Sequence, residues 1–216
     1  MTLPIITLAV ILSCALLIFE KKESLSGRLL TKTPLSALFV IAALVQPHPS
    51  PSFYHFMLIG LICCMAGDIC LIFPRKNMFF LGLVAFLLGH IWYIIGFFDT
   101  AQLHLFTWLG ALMVLLTSGP IFFWLRPHLG SMKLPVLFYV IFISLMVCGA
   151  WTVLGDAGLA RSGRILVFCG ALLFYFSDLF VARQRFIKKA YLNRLFGLPL
   201  YYTGQFLLAF SIGILK

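Results

Sequence analysis

Two aspartates inside apolar stretches are the residues of this sequence best suited to chemistry. Asp68 lies in the apolar run Phe53–Phe73, and Asp178 follows Ser177 in a second such run. A charge in hydrocarbon costs from about 2.5 to more than 10 kcal/mol, so carboxylates at such a depth usually mark functional sites. Two carboxyl groups in one low-dielectric cleft cannot both ionise easily. We expect them to share a proton, which provides one acid and one base.

The composition of the chain indicates where these carboxyl groups lie. Of the 216 residues, 62% are hydrophobic and only 10% are charged, and the mean hydropathy is +1.09. The apolar runs are continuous and about twenty residues long, which is the length of a helix that crosses a hydrocarbon core of roughly 30 Å. A barrel would need alternating segments of about ten residues. We therefore predict an all-α, polytopic membrane protein.

We predict a bundle of eight transmembrane helices that forms one integral membrane domain, residues 1–216. A charged loop, Glu20–Lys32, precedes the second span, which is short and has Pro34 at its first turn. We expect its helix to extend a few residues back into this loop, to near Leu29. Pro120 is expected to kink the fifth span. The predicted spans are Leu3–Phe19, Pro34–Val45, Phe53–Phe73, Met78–Phe98, Leu103–Leu125, Leu134–Leu154, Arg164–Ala182 and Leu195–Leu215.

The basic residues predict the orientation of this bundle. Thirteen of the 16 Lys and Arg residues lie in the loops after spans one, three, five and seven. These loops should face the cytoplasm, so that both termini face the other side of the membrane. The simplest setting is the inner membrane of a bacterium. The net charge of +10 is then a signature of orientation, and no nucleic-acid partner is predicted. Both aspartates would lie roughly 7–8 Å inside the cytoplasmic boundary, from the rise of a helix.

Matching residues in the two halves predict an internal repeat. The halves, residues 1–98 and 99–216, would be parallel four-helix units related by an axis along the membrane normal. Such an axis can bring the two aspartates face to face, although chance similarity among apolar helices is the alternative. The matched residues are Lys32 with Lys133, Asp68 with Asp178, and Gly82 and Gly89 with Gly197 and Gly204.

Seven polar residues are candidates for substrate binding around the aspartates. Lys32 and Lys133 are placed at the cytoplasmic mouth, where they either bind lipid phosphate and fix orientation or recognise a substrate phosphate. His90 is expected near the middle of the bilayer, as a core residue hydrogen-bonded to a neighbouring helix in preference to a catalytic base. Tyr201 and Tyr202 lie near the depth of Asp178. The full set is Lys32, His90, Tyr93, Lys133, Tyr201, Tyr202 and Gln205.

The motifs around these residues resemble those of the lysoplasmalogenase family of multi-span membrane proteins, the YhhN-like family. The resemblance covers nearly the whole chain in length, span count and motif order. One departure is Thr33, which separates Lys32 from the proline that is expected to follow it directly. The motifs are Gly67-Asp68-x-x-Leu71, Gly82 with Ala85-Phe86-Leu87-Leu88-Gly89-His90-x-x-Tyr93, and Ser177-Asp178 followed by a basic tail.

This resemblance implies hydrolysis of the vinyl ether bond of a lysoplasmalogen to a fatty aldehyde and glycerophosphoethanolamine or glycerophosphocholine. It implies Asp68 and Asp178 as catalytic residues and no cofactor. The chemistry fits two carboxyl groups, because an acid must protonate the β-carbon and water must then attack the oxocarbenium ion. The expected partners are the lysophospholipid substrate and membrane lipids, with no protein partner.

Two other classes of protein stay open at this point. A proton-coupled transporter or lipid translocator could use the same aspartate pair in a parallel-repeat bundle. A structural membrane protein could hold the carboxylates with basic side chains from the loops. The sequence contains no HExxH, GxSxG, Walker or Rossmann signature, so no metal ion, serine nucleophile or nucleotide is predicted.

Overall fold

A computed structural model describes residues 2–216, and these residues form eight α-helices and no strand. The prediction of an all-α protein is confirmed. Two short 3-10 turns, Arg126–His128 and Gly130–Met132, connect α5 to α6, and a π-helical turn, Arg183–Ile187, extends α7. The helices are α1 (Thr2–Lys21), α2 (Leu25–Leu44), α3 (Pro51–Ile72), α4 (Lys76–Thr100), α5 (Leu105–Leu125), α6 (Lys133–Gly155), α7 (Arg161–Ala182) and α8 (Tyr191–Ser211).

Seven of these helices, α1 to α7, are long and apolar enough to cross a membrane. The chain is therefore a multi-pass membrane protein. The last helix, α8, has 21 residues but includes the polar residues Asn193, Arg194 and Gln205. Its crossing of the membrane stays a prediction.

Six helices form a closed ring of packed neighbours, and the other two lie outside it. In order around the ring, α2 packs on α3, α3 on α4, α4 on α6, α6 on α7, α7 on α8, and α8 again on α2. Helix α1 packs against α2 and α8 from outside, and α5 packs against α6. The aspartates lie on ring helices, so their surroundings are set by α2, α4, α6 and α8.

The largest error in the predicted spans concerns the start of α2. The helix begins at Leu25, and the connection from α1 is only three residues, Lys22–Ser24. Ser24 caps the new helix, because its hydroxyl accepts a hydrogen bond from the backbone N–H of Gly27. Glu23 makes the reversal possible with a left-handed φ of 52°.

As a consequence, Pro34 lies inside α2 and not at its first turn. Lys32, which the sequence places in the loop, also lies inside the helix and is only 3% exposed. The prediction failed because a lysine normally ends an apolar span. Here the lysine is retained in the span because a carboxylate of α3 neutralises it.

The boundary between α7 and α8 also differs from the prediction. Helix α8 begins at Tyr191, four residues before the predicted start, and the basic loop shrinks to residues 188–190. The buried side chain of Asn193 stabilises this connection by hydrogen bonds to Arg183, Gln184 and the backbone oxygen of Lys188.

Close packing within the pairs α3–α4 and α7–α8 depends on glycine. A Cβ atom added to Gly82 or Gly89 would lie 3.3 or 3.1 Å from a backbone oxygen of α3. A Cβ atom added to Gly197 or Gly204 would lie 3.6 or 2.8 Å from a backbone oxygen of α7. The facing oxygens belong to Gly67 and Gly60 in the first pair and to Ser177 and Gly170 in the second.

Candidate active site

Asp68 lies four residues before the end of α3 and is only 2% exposed. The ammonium of Lys32 is 3.0 Å from its Oδ1. The hydroxyls of Ser36 and Tyr201 donate to Oδ2 at 2.7 and 2.6 Å. Lys32 and Ser36 are four residues apart on α2, so both face α3. This carboxylate is therefore neutralised by one buried cation and hydrogen-bonded by two hydroxyls.

Tyr202 completes the polar cluster on this side of the site. Its phenol oxygen is 3.2 Å from the hydroxyl of Ser36, so it contacts Asp68 only through Ser36. The neighbouring Tyr201 contacts the carboxylate directly. The two tyrosines that the sequence places near the aspartates are thus both at the site, in different roles.

Asp178 lies four residues before the end of α7 and has a different set of neighbours. The phenol of Tyr139, on α6, donates to its Oδ2 at 2.6 Å. Within residues 2–216, no Lys, Arg or His nitrogen lies within 4.0 Å of this carboxyl group. Asp178 is also partly exposed, whereas Asp68 is buried.

Both aspartates line one cleft inside the ring of helices. The cleft is narrow, with a volume of about 90 Å³, and its walls are mostly apolar side chains such as Leu83 and Ile143. Three aromatic rings pack edge to face beside it, with centroid separations of 5.3–6.1 Å, and two of them, Phe86 and Tyr201, line the cleft. These rings are Phe86, Phe174 and Tyr201.

His90 lies behind this cleft and does not line it. Its ring packs against Phe174, with a centroid separation of 4.7 Å, and against Tyr139 at 5.1 Å. The predicted hydrogen bond to a neighbouring helix is wrong, because neither ring nitrogen has a hydrogen-bond partner in the described part of the chain. His90 is thus one layer of side chains away from Asp178.

Tyr93 and Gln205 form a separate pair in the core. The phenol of Tyr93 donates to Oε1 of Gln205 at 2.8 Å, and both side chains are fully buried. Neither residue lines the cleft. The structure therefore places these two substrate-binding candidates in a hydrogen bond of the core.

Lys133 also lies outside this arrangement. It is exposed at the first residue of α6 and does not line the cleft. Lys32 lines the cleft, but its ammonium already has a carboxylate partner. The two lysines therefore do not form a joint phosphate site at the mouth.

Sequence reasoning missed Ser36 and Tyr139. Ser36 could have been found from its position four residues after Lys32, which places both on one face of a helix. Tyr139 is the only tyrosine of α6, but nothing in the sequence pairs it with Asp178. Each contact joins two consecutive helices, α2 to α3 and α6 to α7, and which side chains meet there depends on how those helices pack.

A multi-pass helical membrane protein with two carboxyl groups in one internal cleft is the class that this fold and site define. The chain belongs to the YhhN family, which it matches over residues 27–212. The resemblance found in the motifs is thereby confirmed.

Among characterised proteins, the chain is similar to lysoplasmalogenase TMEM86B of Mus musculus, with 33% identity over 181 residues, 82% of this chain and 71% of that protein. It is similar to lysoplasmalogenase TMEM86A of Bos taurus, with 33% identity over 179 residues, 81% of this chain and 72% of that protein. The lysoplasmalogenase of Mycobacterium tuberculosis is 28% identical over 174 residues, 78% of this chain and 63% of that protein. No solved structure matches the chain.

Proposed function

We propose that this protein is a lysoplasmalogenase, which hydrolyses the sn-1 vinyl ether bond of a lysoplasmalogen. The products would be a fatty aldehyde and glycerophosphoethanolamine or glycerophosphocholine. The observation that carries the proposal is that Asp68 and Asp178 line one narrow apolar cleft. The names of the relatives, at about 30% identity over most of the chain, support it.

The contacts of the two carboxyl groups support a division of roles. Asp68 is held as a carboxylate, because a buried anion with a cation and two hydroxyl donors is well compensated. Asp178 has a neutral phenol as its partner. A carboxyl group in an apolar cleft without a cation is held at least cost as the neutral acid. We therefore assign Asp178 as the proton donor.

The first step of the proposed reaction is protonation of the β-carbon of the vinyl ether. The π electrons of the double bond form the new C–H bond with the proton of Asp178, and the α-carbon and ether oxygen share the positive charge of an oxocarbenium ion. Asp178 is left as a carboxylate beside this cation. Asp68 lies in the same cleft, but Lys32 offsets its charge, so the carboxylate of Asp178 is the main counterion of the cation.

Water then completes the reaction. Its oxygen bonds to the α-carbon, and the carboxylate of Asp178 accepts the proton that the water loses, which regenerates the acid. The resulting hemiacetal breaks its bond to the glycerol oxygen. A proton passes from the hemiacetal hydroxyl to that oxygen, so one water is consumed and no other reactant is required.

The direct test is aldehyde release by the purified protein in neutral detergent. We expect aldehyde from a lysoplasmalogen and none from the alkyl ether analogue, which lacks the double bond. Asp68→Asn and Asp178→Asn should each lower the rate by about 100-fold or more. Asp99→Asn is the matched control, because Asp99 is exposed at the end of α4. A wild-type protein that binds the lipid but releases no aldehyde would favour a transporter or translocator instead.

We further propose that the chain consists of two parallel four-helix halves, residues 1–98 and 99–216, with eight crossings of the membrane. The packing supports this, since α1–α2, α2–α3, α3–α4 and α8–α2 have the counterparts α5–α6, α6–α7, α7–α8 and α4–α6. The glycine contacts agree as well. Gly82 and Gly89 face the oxygens of Gly67 and Gly60. Their counterparts in α8 face oxygens of α7 with the same seven-residue separation.

The proposed orientation places the connections α1–α2, α3–α4, α5–α6 and α7–α8 in the cytoplasm of a bacterial cell, with the protein in the inner membrane and both termini on the outer side. The support is the distribution of Lys and Arg. Cysteine accessibility checks it, in a variant that lacks the native cysteines. A reporter cysteine in the α3–α4 connection should be protected from an impermeant reagent in intact cells, and one in the α4–α5 connection should react.

A further inference from the structure

A second cavity opens beside the cleft, at the ends of several helices. We call it the basic basin, a cavity of about 650 Å³ formed by the connections α1–α2, α3–α4 and α7–α8. Its lining includes two acidic residues, Glu20 and Glu23, and six basic ones. The basic residues are Lys21, Arg28, Arg75, Arg185, Lys189 and Arg194.

The two glutamates neutralise only part of this charge. Lys189 is 2.7 Å from a carboxylate oxygen of Glu23, and Arg194 is 3.7 Å from one of Glu20. The four other basic side chains have no carboxylate within 4.0 Å among residues 2–216. One of them, Arg185, stacks over the ring of Phe79 at 4.4 Å, which fixes its guanidinium at the wall of the basin. The basin therefore has an excess of positive charge.

The basin adjoins the cleft that contains the aspartates. Leu71, Phe79, Val181 and Arg194 line both cavities. The combined space is apolar at its inner end and cationic at its outer end. A ligand that fits it has an apolar chain joined to an anionic group.

We propose that the basic basin binds the phosphodiester of a lysophospholipid headgroup and so sets the depth of the lipid in the cleft. The proposal rests on the proposed function and deepens it. Asp178 lies about 6 Å by helix rise from the end of α7, where the basin begins. A glycerol unit can bridge such a distance between a headgroup phosphate and the sn-1 oxygen. Guanidinium groups are suited to this role, because their planar fork binds phosphate oxygens in pairs.

The basin thereby replaces the two lysines that the sequence suggested for the phosphate. Lys32 has Asp68 as its partner, and Lys133 lies outside the cleft. The basic residues after α1, α3 and α7 serve to predict the orientation of the protein in the membrane. Because they converge on one cavity, they can also bind the phosphate of the headgroup.

The test measures binding without bond cleavage. Two non-hydrolysable probes in neutral detergent are compared by calorimetry, a 1-O-alkyl lysophosphatidylethanolamine and the 1-O-alkylglycerol with the same chain. We expect Arg75→Gln/Arg185→Gln to bind the phospholipid about tenfold or more weakly, and the alkylglycerol unchanged. Arg75→Lys/Arg185→Lys should recover most of the loss. Inorganic phosphate at millimolar concentration should not displace the phospholipid.

The matched control is Arg126→Gln/Lys188→Gln, which removes two exposed basic residues that do not line the basin. It should bind both probes as the wild type does. Equal loss for both probes, equal loss in the control, or displacement by inorganic phosphate would overturn the proposal. An effect confined to vesicles with anionic lipid would do the same, since it would assign the basin to the membrane surface. Because no bond is broken, absence of aldehyde release would refute the hydrolase without changing this result.

Discussion

Asp68 and Asp178 occupy matching places in their helices but have different surroundings. Each lies four residues before the end of its helix, and both line the same cleft. Asp68 has a buried cation and two hydroxyl donors, whereas Asp178 has one phenol. The comparison teaches that two carboxyl groups at equivalent positions need not share a role. Their neighbours decide which is stabilised as an anion and which can release a proton.

The difference arises from single residues on the facing helices. If Gly82 corresponds to Gly197, then Phe86 of α4 corresponds to Tyr201 of α8. Tyr201 donates to Asp68, but a phenylalanine has no donor to offer the other aspartate. Tyr139 of α6 donates to Asp178 instead. If Lys32 corresponds to Lys133, the residue of α2 that matches Tyr139 is Leu38, which has no hydroxyl.

The largest effect on stability is expected when Lys32 is removed. Lys32→Met should lower the free energy of unfolding by about 3–5 kcal/mol, because it leaves the carboxylate of Asp68 buried without its cation. Thermal unfolding in detergent measures this, with aldehyde release as the second readout. Lys32→Met/Asp68→Asn should regain much of the stability but no activity. A single variant as stable as the wild type would mean that Asp68 is not held as an anion.

Substitution of the glycines that pack α3 against α4 and α7 against α8 should have an intermediate effect on stability, and the effect should differ between the two helix pairs. Gly204→Ala would place its Cβ 2.8 Å from the backbone oxygen of Gly170, and we expect a cost of about 1–3 kcal/mol. Gly89→Ala should cost less, since its closest contact is the side chain of Cys64 at 2.7 Å, which can move, and the nearest backbone oxygen is 3.1 Å away. Thermal unfolding of both variants checks the order, and the reverse order would contradict it.

Removing the phenol hydroxyl that contacts Asp178 or the one that contacts Asp68 tests whether the two carboxyl groups differ in role. Tyr139→Phe and Tyr201→Phe should each cost about 1 kcal/mol of stability, because each deletes a hydrogen bond to a carboxyl group. The rate of aldehyde release should fall further for Tyr139→Phe, since Asp178 then has no partner while Asp68 keeps Lys32 and Ser36. Similar rates for the two variants would remove the proposed distinction between the aspartates.

The smallest effect is expected at the exposed ion pair between Glu23 and Lys189. The hydrogen bond and the charge of Lys189 hold the pKa of the Glu23 carboxyl below its usual value. A carboxyl group whose pKa is lower in the folded state stabilises the fold above its unfolded pKa, and this contribution is lost as the pH falls through the folded pKa. Glu23→Gln should therefore melt slightly below the wild type at pH 7, and the difference should vanish on acidification. A difference that grows at low pH would contradict the pairing.

The sequence was sufficient for the helical class and the membrane setting, which rest on local composition. It also singled out two aspartates in apolar runs, and both line one cleft, while their catalytic role stays a prediction. It could not provide the partners of those aspartates. The contacts of Asp68 with Lys32 and Tyr201, and of Asp178 with Tyr139, join residues on different helices. Lys32 is the clearest example. A lysine beside an apolar segment is predicted to lie in a loop unless its carboxylate partner, here Asp68, is known.

The narrow shape of the cleft has a consequence for the choice of lipid. The space beside the aspartates, about 90 Å³, is smaller than a lipid chain, so each chain that enters must displace apolar side chains that line the cleft. A plasmalogen with an acyl group at sn-2 brings a second chain and would have to widen the cleft further, where the rigid rings of Phe86 and Tyr201 meet edge to face. Selection of the single-chained lipid would then be steric and need no residue that recognises a free sn-2 hydroxyl.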